Sequence, residues 1–333
     1  MRHTLTDFTL GTHDRTQAAA NGYLTLAPAA TEGVWISPAL PADPFDEAIP
    51  SWNALTPGRA WLEMRLRLRI GDTWTVWYTL GRWGAGIQGG SVAGQRDADA
   101  TVETDTLRAR RGCANALQVQ VRLASDPDSG APPVARDVEV WTHVHGSHMP
   151  LPAAPHPAWG RVLDVPERSQ MVEPEDVRGH ICSPTSLGMV LAYHGVERTT
   201  LQVCDAVYDH NGEIWGNWPF NTAYVHSISE GRLVGHVERW DSLRPIEDEI
   251  AAGRPVVLSH RWEEGDLPDA TIPSSNGHLI VVVGFDTLGD VVVNDPAANP
   301  LKGQPVRRVF RRADVEKTWL ERASGVIYTV RPV

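Results

Sequence analysis

The segment Trp61–Ile70 alternates between apolar and charged residues without interruption, and this strictly limits how it can fold. Apolar side chains occupy every second position: Leu62, Met64, Leu66, Leu68 and Ile70. Successive side chains of a strand point to opposite faces, so the pattern predicts a strand that buries one face and leaves Glu and Arg on the other. The alternation resumes at Trp74 after Gly71 and Asp72, which predicts a hairpin.

The same period of two recurs through the first half of the chain. Alternating segments lie at 117–123 and 138–144, and stretches rich in Pro, Gly, Asp and Ala separate the predicted strands. Short strands with turn signals between them are typical of antiparallel β-sandwiches. The sequence therefore predicts an all-β sandwich over residues 1–149, as an accessory domain.

Tryptophan is dense in this half, at Trp35, Trp52, Trp61, Trp74, Trp77, Trp83 and Trp141. The favoured interpretation is that these rings fill the core or lie half-buried on a sheet. The alternative is a platform for sugar rings, which makes a glycan a candidate partner of this domain. By strict alternation Trp77 lies on the face opposite Trp74, so it is the ring predicted to be most exposed.

Residues 150–160 are rich in Pro and are predicted to form a stiff linker that carries His156. Just before them, His143 and His145 would share one face of a strand, and His148 follows. Such a pair is one way to hold a metal, but no Cys or carboxylate follows at a recognisable ligand spacing. The linker interpretation is therefore favoured, and no metal or cofactor is expected.

Length and charge restrict the class of protein. At 333 residues the chain is long for one core, so two domains are expected. A net charge of −11 argues against binding to nucleic acid or to anionic membranes. No apolar run approaches the roughly 20 residues that a membrane helix needs, and no signal peptide is visible. The cytoplasm is the default expectation, with secretion or the cell envelope left open.

In the second half, the stretch 179–195 places Cys182 at the first turn of a predicted helix. One face of this helix is predicted to be buried, because mostly apolar residues recur there at helical spacing, at Leu187, Val190, Leu191 and His194. Pro184 suits the start of a helix, and Gly195 suits its end. A thiol there lies near unpaired backbone N–H groups and the positive end of the helix dipole, which favour the nucleophilic thiolate. Buried free Cys is more often inert, however, so the helix alone does not establish a nucleophile.

Two later segments supply partners for this thiol. One apolar run opens with His278, and the next ends in Asn294, Asp295 and Pro296. Cys on a helix, followed by His and then Asp or Asn on neighbouring strands, is the chain order of papain-like proteases. Asp295 is predicted to orient the imidazole and Asn294 is the alternative, since only one of two successive residues can face His278. A turn residue at Asp295 and a structural histidine remain the competing interpretations.

Helical patterns precede these strands, and the loop 261–277 before His278 is placed to cover a cleft. The predicted class for residues 161–333 is therefore an α+β fold of papain-like arrangement. His260, at a strand end, is predicted to lie behind the catalytic groups or to contact substrate. Cys204, inside a short helix, is predicted to belong to the core.

Taken together, these motifs resemble the papain-like cysteine peptidases related to the leader-cleaving domain of bacteriocin exporters, and specifically their stand-alone, peptidase C-thirty-nine-like bacterial relatives. The resemblance covers roughly residues 160–331 and rests on Gln170, 182–186, 277–278 with the following apolar run, and 294–296. It implies a cysteine peptidase with Cys182, His278, Asp295 and Gln170 as catalytic residues. Gln170 would donate its amide to the oxyanion, together with the backbone N–H of Cys182.

One residue departs from the family pattern, because Ser183 stands where these peptidases usually have Gly. If the backbone there needs a positive φ, Ser would strain or narrow the site. The predicted function is hydrolysis of a peptide bond through an acyl-thioester on Cys182. Alternatives are another acyl transfer on the same scaffold, such as amidase or transpeptidase chemistry, and an inactive module that binds glycans or peptides.

Overall fold

The computed structural model describes residues 1–146 and 151–333, and these form two compact units. The first unit comprises Met1–His145, Tyr208–Val237 and Pro332–Val333, and the second comprises Gly146–Val207 and Glu238–Arg331. The first unit thus contains a segment from the second half of the sequence. The predicted boundaries, with a sandwich at 1–149, a linker at 150–160 and a peptidase domain at 161–333, stay predictions.

Two antiparallel sheets make up the N-terminal part of the first unit. Their strands are β1 (Arg2–Leu5), β2 (Thr12–Asp14), β3 (Thr16–Ala18), β4 (Leu24–Leu26), β5 (Glu32–Ile36), β6 (Leu40–Phe45), β7 (Glu47–Leu55), β8 (Trp61–Ile70), β9 (Thr73–Trp74), β10 (Tyr78–Trp83), β11 (Ala100–Glu103), β12 (Thr106–Ala109), β13 (Ala114–Ala124) and β14 (Val134–His143). One sheet runs β11-β12-β7-β14-β4-β3 with β1 beside β14. The other runs β10-β8-β13-β5-β2, with β6 beside β13 and β9 beside β8.

Side chains from both sheets share one hydrophobic core. Four of the five apolar residues of β8 are fully buried, as the alternation predicts, and Ile70 at its end is partly buried. Trp35 from one sheet and Trp52 from the other are also at 0% exposure. The strand β8 pairs with β13 over nine residues, from Trp61 opposite Ala124 to Arg69 opposite Ala116. The prediction of an N-terminal domain built of β-sheets is confirmed.

The predicted placement of Trp77 is wrong. Residues 75–77 interrupt the strand between β9 and β10, so the alternation does not carry through from Trp74. The Arg67 guanidinium lies 4.8 Å from the ring centroid of Trp74 and 4.7 Å from that of Trp77, so both rings lie against the same cation. Because Arg67 lies over both rings, they give no support to the predicted glycan contact.

The histidines considered for a metal have other surroundings where they are described. His145 Nδ1 lies 2.8 Å from Glu47 Oε1, which makes an ion pair when the imidazole is protonated. His148 lies outside the described residues. Within 1–146 and 151–333, no group of three His, Cys, Asp or Glu side chains is close enough to hold a metal ion.

The remaining elements combine helices with one antiparallel sheet. The helices are α1 (Cys182–Tyr193), α2 (Thr200–Val207), α3 (Trp218–Ile228), α4 (Arg244–Ala251) and α5 (Arg312–Glu316). The strands are β15 (Leu233–Arg239), β16 (Val256–Trp262), β17 (Ser275–Phe285), β18 (Val291–Asn294), β19 (Arg307–Phe310) and β20 (Val326–Pro332), in the order β15-β20-β16-β17-β18-β19. The prediction of a C-terminal region that mixes helices and sheet is confirmed. The strand β15 is an element that the sequence reading missed.

Local sequence signals account for several of these boundaries. The helix α2 begins with a capping box, in which the Thr199 hydroxyl accepts from Gln202 N and the Gln202 side chain accepts from Thr199 N. Asn217 caps α3 through its side chain, which accepts from Phe220 N. None of the helices in the described part of the chain is long and apolar enough to cross a membrane.

Candidate active site

Cys182 is the first residue of α1, and it is partly exposed while the ten residues that follow it are buried. The helix packs on β17 and β16 and on α2, so it is buried on nearly every side and not on one face only. The Ser186 hydroxyl donates to Leu279 O over 3.0 Å, which ties α1 directly to β17. The start of the helix therefore holds a reachable thiol in a rigid setting.

Ser183, the departure from the family pattern, fits the helix without strain. It is not among the residues with a positive φ, so the backbone at this position does not require glycine. Its hydroxyl lies 2.9 Å from Tyr328 OH, and both side chains are buried. The Ser183 side chain thus packs into the protein core.

His278 links Cys182 to a carboxylate. Its Nε2 lies 2.8 Å from Asp295 Oδ1, and both residues are buried. The Cys182 thiol hydrogen-bonds with the His278 side chain and with the backbone of Leu279 and Ser183. Because Asp295 occupies Nε2, the imidazole nitrogen available to the thiol is Nδ1.

The three side chains shift one another's pKa. Burial opposes ionisation of the Cys182 thiol, but the hydrogen bond and charge of His278 outweigh it and lower the thiol pKa. Burial also disfavours the charged form of His278, yet the charge and hydrogen bond of Asp295, with a further contribution from Cys182, raise its pKa. Burial raises the pKa of Asp295, but His278 lowers it overall. All three shifts favour a thiolate and an imidazolium, with an ionised carboxylate behind them.

The structure distinguishes Asp295 from its neighbour Asn294. Asp295 faces His278, and its Oδ1 also accepts from Ala297 N over 2.9 Å. Asn294 faces away, because its Nδ2 donates to Val165 O and its Oδ1 accepts from Arg307 Nε. Asp295 therefore contacts the imidazole and also closes the turn before Ala297. The two roles considered for it, partner of the imidazole and turn residue, are compatible.

Gln170 lies in a short 3-10 turn, Gln170–Val172, that is fastened beside Asp295. Its backbone N–H donates to Pro296 O over 2.8 Å, and its side-chain Nε2 donates to Arg178 O over 2.7 Å. The side chain is buried, and its Oε1 has no partner among the described residues. One of the two N–H groups on Nε2 is thus used by the segment that leads to Cys182, which leaves the other for a ligand.

Three further residues lie around the pair of His278 and Asp295. His260 lies directly opposite His278 in the β16–β17 pair, with ring centroids 5.7 Å apart, and the Trp262 ring lies 5.7 Å from that of His278 at 71°. Thr271, in the loop 263–274, donates its hydroxyl to Asp295 Oδ2 over 2.9 Å. The sequence analysis named His260 but missed Trp262 and Thr271. The period of two along β16 is a signal for Trp262, whereas nothing in the local sequence marks Thr271.

The competing groups do not share the environment of Cys182 and His278. Burial lowers the pKa of His260 to about 3, with the His278 charge adding to the effect, so this imidazole is neutral. Cys204 is buried in α2, and burial raises its pKa to about 12. A thiol in that state is a poor nucleophile at neutral pH.

Comparison with known families matches both halves of the chain. Residues 3–142 match the model of the peptidase C39 N-terminal domain, and residues 162–326 match the model of the Peptidase_C39 like family. No protein with a curated description matches the chain.

Two solved structures are similar to the chain at low identity. One is described as a C39-like peptidase from Bacillus anthracis, with 18% identity over 51% of this chain and 98% of that one, at a TM-score of 0.38. The other is a double glycine motif protease from an AMS/PCAT transporter in complex with the leader peptide, with 18% identity over 52% and 95%, at a TM-score of 0.33. At such scores the likeness carries no argument about this chain. The family models confirm the resemblance drawn from the motifs, because the N-terminal part of the chain is similar to the peptidase C39 N-terminal domain and the C-terminal part to the Peptidase_C39 like family.

Proposed function

We propose that the protein is a cysteine peptidase in which Cys182 is the nucleophile, His278 the general base and acid, and Asp295 the group that orients the imidazole. The observation that carries the proposal is the position of His278, with Asp295 Oδ1 2.8 Å from one ring nitrogen and the Cys182 thiol hydrogen-bonded to the ring. The match to the Peptidase_C39 like family independently supports a peptidase-type function.

The chemistry follows from these positions. The Cys182 thiolate attacks the carbonyl carbon of a peptide bond, and the carbonyl oxygen becomes an oxyanion. The His278 imidazolium donates its proton to the leaving amine as the C–N bond breaks, which leaves an acyl-thioester on Cys182. His278, now neutral, takes a proton from a water molecule that attacks the thioester carbon. The C–S bond then breaks, the carboxylic acid product leaves, and the thiolate of Cys182 and the imidazolium of His278 are restored.

Gln170 would stabilise the oxyanion, together with the backbone N–H of Cys182 at the start of α1. In support, its amide is buried and held beside Pro296 on one side and Arg178 on the other. A donor fixed in this way loses little freedom when charge develops on the carbonyl oxygen, which is how oxyanion holes lower a barrier. The second N–H of Gln170 Nε2 is the group proposed for this contact.

A papain-like arrangement of the second unit belongs to the same proposal. It is supported by a thiol at the start of a helix that packs on a sheet, with the histidine on β17 of that sheet and the carboxylate directly after the neighbouring strand β18. The substrate class is a peptide. The N-terminal β-domain is proposed to be an accessory domain with no catalytic residue of its own.

The proposal is tested by activity and by thiol labelling. Incubation with a library of peptides from digested proteins, followed by mass spectrometry, should reveal new termini with the natural chain and none with Cys182→Ala. Iodoacetamide should label Cys182 rapidly at pH 6, and His278→Ala should label slowly, because the thiolate then loses its counter-ion. Slow labelling of both proteins at the same rate, with no new termini, would instead indicate a binding module.

A further inference from the structure

The loop 263–274 reaches the carboxylate of the proposed catalytic group. Thr271 donates its hydroxyl to Asp295 Oδ2 over 2.9 Å, while Oδ1 accepts from Ala297 N and faces His278 Nε2. Both carboxylate oxygens are therefore occupied, and rotation of the carboxylate about its Cβ–Cγ bond would break at least one of these hydrogen bonds. At 2% exposure, Asp295 has almost no access to water that could replace a lost donor.

The next residue of the loop holds the second neighbour of the imidazole. Ile272 O accepts from Trp262 Nε1 over 3.3 Å, and the Trp262 ring packs at 71° against the ring of His278. Two consecutive loop residues thus contact the two side chains that fix His278. One holds the carboxylate at the Nε2 of the imidazole, and the other holds the aromatic ring beside it.

Other contacts hold the loop against the rest of the second unit, and so they fix the position of Thr271. Asp266 receives Lys317 Nζ and Arg322 Nε, each at 2.7 Å, and Arg308 Nη1 donates to Asp269 O over 2.8 Å. These contacts hold the loop at two points, Asp266 and Asp269, both of which precede Thr271. Two of the acidic side chains of the loop, Asp266 and Glu263, form ion pairs with Lys317 and Arg322.

We propose that Thr271 is a positioning residue that holds the Asp295 carboxylate in place for His278, so that this one position of the loop 263–274 supports the proposed catalytic groups. This inference rests on the proposed function. Its physical basis is that an unpaired oxygen in a dry site favours the protonated carboxyl. An uncharged Asp295 cannot stabilise the imidazolium, and without the imidazolium the thiolate of Cys182 becomes rarer.

The test compares Thr271→Val, which removes the hydroxyl at nearly constant volume, with Thr271→Ser, which keeps it. Both are made in a Cys113→Ser background, because Cys113 is exposed and would also be labelled. The second-order rate of iodoacetamide labelling is measured from pH 4 to 10. At pH 6 we expect Thr271→Val to label about 10-fold more slowly than the parent, a size typical of an unpaired buried acceptor, and Thr271→Ser to stay within about 2-fold.

Matched controls separate this role from general loosening of the loop. Ser274→Ala, an exposed change in the same loop, should leave the whole pH profile unchanged. If Thr271→Val lowers the melting temperature, Thr271→Ala provides a second variant without the added methyl group. We expect Thr271→Ala to show the same loss of labelling rate, and only Thr271→Ser to keep the rate of the parent. Equal profiles for the parent and Thr271→Val would overturn the inference while leaving the proposed function intact. A parent profile with a midpoint near the free-thiol pKa of about 8.5 would instead overturn the proposed function itself.

Discussion

Two imidazoles at the site, His260 and His278, lie opposite each other on neighbouring strands and are driven to opposite charge states. Both are buried, and burial alone would keep both neutral. His278 differs because Asp295 lies 2.8 Å from its Nε2, whereas the Nδ1 of His260 lies 3.5 Å from the hydroxyl of Thr318, which carries no charge. A single carboxylate thus decides which of the two imidazoles can act as a counter-ion for Cys182.

This assignment predicts the effect of Asp295→Asn on the thiol. Removing an opposite charge at contact distance moves a pKa by about 1–3 units, so the His278 pKa should fall and the Cys182 pKa should rise. The pH midpoint of iodoacetamide labelling should therefore rise by about 1 unit or more. Asp269→Asn, which removes an exposed carboxylate from the nearby loop, should leave the midpoint unchanged. Equal midpoints in Asp295→Asn and the parent would show that the carboxylate does not control the pair.

A second residue-scale prediction separates the proposed oxyanion donor, Gln170, from the proposed nucleophile, Cys182. Gln170→Ala should lower kcat on a peptide substrate about 100-fold, which corresponds to the loss of one oxyanion-hole donor. It should leave the iodoacetamide labelling of Cys182 nearly unchanged, because alkylation of the thiolate forms no oxyanion. Val172→Ala, an exposed change in the same 3-10 turn, serves as control and should alter neither rate. Loss of labelling in Gln170→Ala would instead indicate that Gln170 stabilises the thiolate of Cys182.

The sequence was informative where chemistry depends on local pattern. Cys182 is marked by the signals for a helix start, and His278 and Asp295 by strand ends in the right chain order. The choice between Asp295 and Asn294 needed the structure, because alternation says that one of them faces His278 but not which. Thr271 could not be found, since a loop hydroxyl gains its partner only through tertiary folding that brings the loop against Asp295.

At the scale of elements, the helix α1 combines a reachable first residue with a body buried on nearly every side. The sequence correctly indicated the helix, but its apolar spacing suggested one buried face, whereas the sheet on one side and α2 on another enclose it. A helix held in this way tolerates little change along its length. Ser183 illustrates the point, because its hydroxyl is 2.9 Å from Tyr328 OH inside the core.

This packing predicts that restoring the family's glycine will weaken the fold without improving the site. Ser183→Gly should lower the free energy of unfolding by about 1–2 kcal/mol, from the lost buried hydrogen bond and the added backbone freedom. Ser183→Ala should cost less, because it loses the hydrogen bond but keeps the helix propensity. Denaturant unfolding measures both, and iodoacetamide labelling of Cys182 should stay within about 2-fold of the parent in each variant, since neither change alters the charge at His278. A more stable Ser183→Gly variant would contradict this account of the helix.

For the molecule as a whole, the first unit draws Tyr208–Val237 from the second half of the sequence. Within that unit α3 packs on β7, where the Phe220 ring lies edge-on to Trp52 at 6.2 Å. Gly235 N donates to the buried Asn53 Oδ1 over 2.9 Å, and Asn53 Nδ2 in turn donates to Asp137 Oδ1 over 2.8 Å. Local patterns gave no sign of this grouping, because the partners are more than 150 residues apart along the chain, as Asn53 and Gly235 are.

The grouping predicts how fragments of the chain behave. A fragment of residues 1–149 would expose Trp52 and leave Asn53 without its Gly235 partner, whereas residues 1–145 joined to 208–237 by a short Gly–Ser linker would keep both contacts. Burial of Phe220 contributes about 1.5–3 kcal/mol, and an unpaired buried amide costs about 1–3 kcal/mol. The shorter fragment should therefore melt at least about 10 °C below the linked one. It should also bind a dye specific for exposed apolar surface, which the linked fragment should not.

Thermal unfolding followed by tryptophan fluorescence compares the melting temperatures of the two fragments. The matched control is Phe220→Ala in the linked fragment, whose melting temperature is expected to fall between those of the two fragments. If the 1–149 fragment unfolds as cooperatively and at the same temperature as the linked one, Tyr208–Val237 is not needed to complete the first unit.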